Sequence, residues 1–289
     1  MSSECSSNCS SCGSNCSKRD PKSMIKPQNP KSNIKKVIAV VSGKGGVGKS
    51  MVTALSAISA SRMGYSTAIL DADITGPSIP HIFGLKEKAM GTEDGIIPIE
   101  SANGIKNMSI NLLLDNDTDP VAWRGPILGS AVEQFWQEVV WGEVDFMFVD
   151  MPPGTGDVLL TTFQSLPIAG IIVVTSPQDL VSMIVAKAVK MAGQMNIPIL
   201  GIIENMSYLE CPDCGKKIEL FGKSHLDSIA KEYGLDILGR IPILPELAAM
   251  ADNGEIENFN FDFLDPIMTV LKTVAEQKNP GDCCSCCKE

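Results

Sequence analysis

The chain has 289 residues, 44% hydrophobic and 20% charged, so it can bury a core, and a formal charge of −10 from 24 basic and 34 acidic side chains argues against nucleic acid as a partner. No basic segment followed by an apolar stretch opens the chain, and its apolar runs fall far short of the ~18 residues of a spanning helix, so neither a signal nor a membrane is expected. Its ten cysteines fall into three groups, 5–16, 211–214 and 283–287, which leaves the first half of the core without thiols and excludes a disulfide-stapled secreted protein. A reduced, cytoplasmic protein handling a soft metal is the expectation.

In chain order, residues 1–33 are Ser, Cys, Asn, Lys and Pro with almost nothing apolar, and are expected to be a disordered cysteine-containing segment. The lysines between 18 and 36 read as a solubilising linker. Strands are expected over 37–42, 67–71, 145–150, 170–176, 199–203 and 237–241, each too continuously apolar to have a wet face. Helical periodicity occupies 49–63, 127–139, 157–165, 180–195, 224–233 and 263–275. This alternation predicts an α/β fold over 34–277: one domain, a mostly parallel sheet with helices on both faces, and a ligand site outside the carboxyl ends of the strands. Residues 278–289 read as a flexible cysteine-rich tail.

The first strand runs into Gly43-Lys44-Gly45-Gly46-Val47-Gly48-Lys49-Ser50, the phosphate-loop pattern, with a helix directly after it. Glycines let successive N–H groups turn toward phosphate oxygens and the helix start adds its positive end. Lys49 then reaches the β and γ phosphates, and Ser50 can ligate Mg²⁺. Lys44 is a second cation that a minimal loop does not need; across a dimer interface it could offset charge on the partner's nucleotide. Asp71 and Asp73 leave the second strand, and Asp150 ends the third, followed by Met-Pro-Pro-Gly154. We expect Asp73 to position the attacking water, Asp150 to hold the metal shell and the Gly154 N–H to sense the γ-phosphate. Asn205, just past a strand, carries the donor and acceptor that an adenine edge requires.

Cys211-Pro-Asp-Cys214-Gly is a knuckle that can face two thiolates to one metal, with His225 the one further ligand nearby. Two copies about a twofold axis would supply the four thiolates of a [4Fe–4S] cluster; zinc is the rival. Cys5, Cys9, Cys12 and Cys16 could hold an auxiliary metal. The adjacent cysteines 283–284 and 286–287 suit no single cluster, and the terminal Cys-Cys-Lys-Glu is no prenylation signal. His81, His225 and the fourteen methionines read as structural.

Lys44-Gly-Gly-Val-Gly-Lys-Ser50 resembles the deviant phosphate loop of the dimeric ATPases that include nitrogenase reductase, the cell-division positioning ATPases and the Mrp/ApbC iron–sulfur cluster carriers. The stretches Asp71-Ala-Asp-Ile-Thr-Gly-Pro-Ser, Trp123-Arg-Gly-Pro126 and 204–222 are similar to motifs of the carriers, and the resemblance spans about 34–275. It implies that Lys44 is the intermolecular signature lysine, that Asp73 and Asp150 lie in switch I and switch II, and that Asn205 contacts the base. The implied activity is hydrolysis of ATP to ADP and phosphate by a homodimer that carries a [4Fe–4S] cluster and donates it to apo iron–sulfur proteins. A positioning ATPase would carry a basic face or an amphipathic terminal helix. A reductase of the nitrogenase-reductase kind would carry a cysteine just past switch II, and 151–165 has none.

Overall fold

The computed structural model describes residues 24–74, 76–114, 125–154, 156–177 and 181–277. Both terminal cysteine groups, Trp123 and Arg124 lie outside the described residues. In chain order the elements are β1 (Asn33–Ser42), α1 (Lys49–Arg62), β2 (Thr67–Asp71), α2 (Ile79–Ile82), β3 (Gly91–Thr92), β4 (Gly95–Ile96), β5 (Ile99–Glu100), β6 (Lys106–Met108), α3 (Gly125–Glu138) and β7 (Glu143–Asp150). There follow α4 (Asp157–Ser165), β8 (Ile168–Thr175), α5 (Val181–Met195), β9 (Ile199–Glu204), β10 (Leu209–Glu210), β11 (Lys217–Ile218), α6 (Leu226–Tyr233), β12 (Ile237–Arg240), α7 (Pro245–Asp252) and α8 (Asp265–Glu276).

Eight strands form one sheet in the order β12-β9-β8-β1-β7-β2-β6-β5, parallel throughout except where β5 runs against β6. The alternation along β1 shows how the core is divided. Val37, Ala39 and Val41 pack into the layer that holds α3, α4, α5 and α6, whereas Ile38 and Val40 face α1, α7 and α8. Both faces are thus dry, which is why every expected strand was apolar at successive positions rather than alternate ones. The expected parallel α/β sheet with helices on both faces is what the chain forms.

Sequence periodicity missed the sheet's far edge. β5 and β6 are two or three residues long and include Lys106 and Asn107, too short and too polar for a period of two to register. The body also begins earlier than position 34. The Lys26 N–H donates to the Ser165 carbonyl at 2.8 Å, Trp136 Nε1 donates to the Lys26 carbonyl at 2.9 Å, and Asn29 Nδ2 donates to the Asp94 carbonyl at 3.0 Å. Ser32 Oγ donates to the Val139 carbonyl at 3.2 Å. Polar side chains and backbone bonds, rather than an apolar pattern, seat this segment, so composition read it as unstructured.

Candidate functional site

The carboxyl ends of five strands stand side by side. Asp71 of β2 and Asp150 of β7 are register partners, Val40 of β1 lies beside Asp150, Ser42 beside Val174, and Thr175 of β8 beside Glu204 of β9. The loop from β1 to α1 curls over this row. Gly48, its last residue before α1, has φ 76, in the left-handed region that favours glycine. A Cβ there would also fall 2.1 Å from Asn205 Nδ2. Beneath the loop is a cleft of about 360 Å³ whose walls include Lys44, Gly45, Gly46, Ser50 and Asp73.

Asp150 is the hub. Lys49 Nζ lies 2.7 Å from its Oδ1 and 3.7 Å from Asp73 Oδ2. Ser50 Oγ donates to Asp150 Oδ2 at 2.5 Å and Thr53 Oγ1 to Asp150 Oδ1 at 2.7 Å. The Asp150 side chain is fully buried, and such a carboxylate is tolerated only when paired and hydrogen-bonded. The Lys49 side chain is 6% exposed, and its buried ammonium, although held between two carboxylates, makes no aligned hydrogen bond. Its donors therefore fit a further anion at the loop, as the chemistry of a phosphate requires.

Asp71 is equally buried. It accepts from Ser109 Oγ at 3.1 Å and from the Asp73 N–H at 3.2 Å. Burial, and next the neighbouring Asp150 charge, push the Asp71 carboxyl well above the ordinary carboxylate range despite the pull of Lys49. Asp71 on β2 and Asp150 on β7 are thus adjacent buried carboxyls with different partners: Ser109 and the Asp73 N–H for the first, Lys49, Ser50 and Thr53 for the second.

Two expected residues make hydrogen bonds within the chain. The Gly154 N–H, assigned to the γ-phosphate, donates to the Ser42 carbonyl at 2.9 Å. Asn205 Nδ2, assigned to the base, donates to the Val47 carbonyl at 2.9 Å, and Asn205 Oδ1 accepts from the Met206 N–H. Thr53, one helical turn beyond Lys49, was not singled out by motif; a buried hydroxyl at i+4 from the loop lysine was the available signal.

Cys211 and Cys214 cap the hairpin of β10 and β11. The Cys211 N–H donates to the Lys216 carbonyl at 3.0 Å and the Gly215 N–H to the Cys211 carbonyl at 2.9 Å, so the turn closes on itself with both thiols free. The N–H of Asp213, then that of Cys214, then the Cys214 thiol hold the Cys211 thiol below its ordinary pKa. Ile218, Leu220 and Phe221 beside it are 39%, 54% and 48% exposed. Among the described residues no group of three or more His, Cys, Asp or Glu side chains could hold a metal, so His225 does not complete the set. One chain offers two free thiols at this turn.

Known proteins resemble this chain over most of its length. An iron–sulfur cluster carrier protein of Methanocaldococcus jannaschii is 45% identical over 258 residues, 87% of this chain and 89% of that one. The solved nucleotide-binding protein of Archaeoglobus fulgidus in complex with ADP is 42% identical, with a TM-score of 0.72 over 80% of this chain and 90% of that one. The MinC:MinD cell division complex of Aquifex aeolicus shares the fold alone, at 19% identity and a TM-score of 0.59 over 85% and 97% of the two chains. The family model described as the NUBPL iron-transfer P-loop NTPase, of the ParA group, matches residues 33–277, and the chain belongs to that family.

Proposed function

We propose that this chain is an ATP-hydrolysing scaffold and carrier that holds a [4Fe–4S] cluster between the Cys211 and Cys214 thiolates of two copies and passes it to apo-proteins. The observation that carries the reading is the pair of free thiols on a hairpin projecting from a phosphate-loop sheet, with no third ligand among the described residues. A twofold axis turns two half sites into the four thiolates a cubane cluster needs. The exposed Ile218, Leu220 and Phe221 beside the hairpin are surface that a second copy would cover. The names of the cluster-carrier relatives support the same reading.

At the loop, Lys49 would release part of its ion pairing to grip the β and γ phosphates, and the Gly43–Ser50 backbone would cradle them. Ser50 and Asp150, already joined, fit the two sides of a Mg²⁺ site, Asp150 through water; the ion would neutralise charge on the transferred phosphoryl group. Asp73 Oδ2, which faces the same ammonium, would orient the attacking water. Sensing of the γ-phosphate by Gly154 would trade its bond to the Ser42 carbonyl for one to the nucleotide, and that exchange moves switch II. Asn205 keeps one N–H and one lone pair for an adenine edge while bracing the loop. Lys44, which lines the cleft, would reach the partner's nucleotide. Acceptors would be apo iron–sulfur proteins, met in a reducing compartment such as the cytoplasm where the thiols stay free.

The shared fold leaves a positioning ATPase as the competing class, and the cysteine pair separates the two. Anaerobic reconstitution tests this. Wild type should take up iron and sulfide in equal amounts and activate an apo-protein, and Cys211→Ala and Cys214→Ala should each lose both properties. Unchanged loading in these variants, or zinc as the bound metal, would reject the proposal.

A further inference from the structure

We propose that Glu204 is a positioning residue that fastens the cysteine hairpin to the phosphate loop, so that nucleotide at the loop alters the setting of the thiols. The proposal deepens the carrier reading and rests on its nucleotide site.

The hairpin needs a fastening. From Pro212 to Gly222 every residue is exposed, and β10 and β11 contribute only two residues each, so little packing fixes the segment. Its two ends are instead gathered by one buried carboxylate. Ser207 Oγ, before the hairpin, donates to Glu204 Oε2 at 2.6 Å; Ser224 Oγ, after it, donates to Glu204 Oε1 at 2.6 Å. The Glu204 side chain is 1% exposed. Arg240 Nε stands 3.8 Å from Oε2, and another nitrogen of the same guanidinium is 2.7 Å from Asp227 Oδ2 on α6. A buried carboxyl group with each oxygen taking a short hydroxyl bond is a rigid node, because losing either hydroxyl leaves a buried oxygen unsatisfied.

The next residue in the chain holds the loop. The Asn205 N–H donates to the Thr175 carbonyl at 2.8 Å and its side chain to the Val47 carbonyl at 2.9 Å. Met206 then adopts φ 56, a left-handed conformation unusual for a side chain of its size, and its N–H closes onto Asn205 Oδ1 at 2.9 Å. Consecutive residues 204 to 207 thus grip the phosphate loop on one side and both ends of the hairpin on the other. The turn is strained and the N–H groups of Asn205, Met206 and Ser207 are all engaged, so a displacement of Val47 is transmitted rather than absorbed.

The test uses full-length, metal-free protein and reads alkylation by iodoacetamide at Cys211 and Cys214, resolved by peptide mass spectrometry, with and without Mg·ATP. Wild type should change rate at one or both thiols by about threefold or more on adding nucleotide, the size of an ordinary coupling between sites. Ser224→Ala should bring that ratio to about one while ATP affinity stays within about twofold, because Ser224 touches nothing at the loop. Ser224→Thr, which restores the hydroxyl, should restore the ratio, and Glu204→Gln, a second route to the same break, should reduce it. A wild-type ratio of one, or a ratio that survives both Ser224→Ala and Glu204→Gln, overturns the proposal. Iron plays no part in the readout, so a hairpin that fails to bind a cluster would sink the carrier reading and leave this one to stand or fall alone.

Discussion

Asp150 shows how one residue can be legible in type and hidden in arrangement. A carboxylate at the end of an apolar strand, beside a phosphate loop, was expected to serve a metal. That it also anchors Lys49, Ser50 and Thr53 at 2.7, 2.5 and 2.7 Å depends on α1 crossing β7, which no local pattern encodes. Gly48 is the opposite case, since its motif position and its geometry agree. Gly48→Ala would force a side chain into φ 76 and drive its Cβ against Asn205 Nδ2. We expect a loss of about 2 kcal/mol in stability, hence roughly 4–8 °C in Tm for a domain of this size, together with weaker ADP binding. Thermal unfolding and calorimetric titration check both, and an unchanged melting curve would show that Asn205 yields freely.

At the scale of elements, the central strands were readable because they are dry on both faces. The edge was not, because its strands are too short to carry a period. The ends of β1 and β7 opposite the site are pinned by Lys35 Nζ, 2.7 Å from Asp145 Oδ1, while Asp145 Oδ2 accepts the Ser66 N–H at 2.9 Å. Partial burial raises the Asp145 carboxyl, but the Lys35 hydrogen bond, the Ser66 N–H and the Lys35 charge outweigh it and hold the carboxyl below its ordinary pKa. A carboxyl lowered on folding lends stability above its unfolded pKa, and that contribution disappears as pH falls through the folded value. Asp145→Asn should therefore cost about 0.5 kcal/mol near neutrality, as for other exposed ion pairs, and nothing in strong acid. Denaturant titrations of both proteins at neutral and acid pH decide it; a difference that grows in acid would reverse the sign.

For the whole molecule, the proposed bridging of two copies through Cys211 and Cys214 would make cluster binding and dimerisation one event. Cluster-loaded protein without nucleotide should sediment as a dimer of the 30.9 kDa chain, fall to monomer on anaerobic iron chelation, and remain monomeric as Cys214→Ala. A mass indifferent to chelation would place the dimer contact elsewhere. By itself the sequence determined the α/β class, the phosphate loop, the strand-end carboxylates and the cysteine pair, because each is a local pattern: dry strands, a glycine turn before a helix, two thiols three apart. Only the tertiary structure decided that 26–32 belong to the body, that the Asp71 carboxyl is buried beside Asp150 and pushed well above the ordinary carboxylate range, and that Glu204 gathers Ser207 and Ser224 at the two ends of the hairpin. Most of those contacts join residues distant in the chain. Burial decides which hydrogen bonds they must make and raises the Asp71 carboxyl, and burial is a property of the packed molecule rather than of any stretch of its sequence.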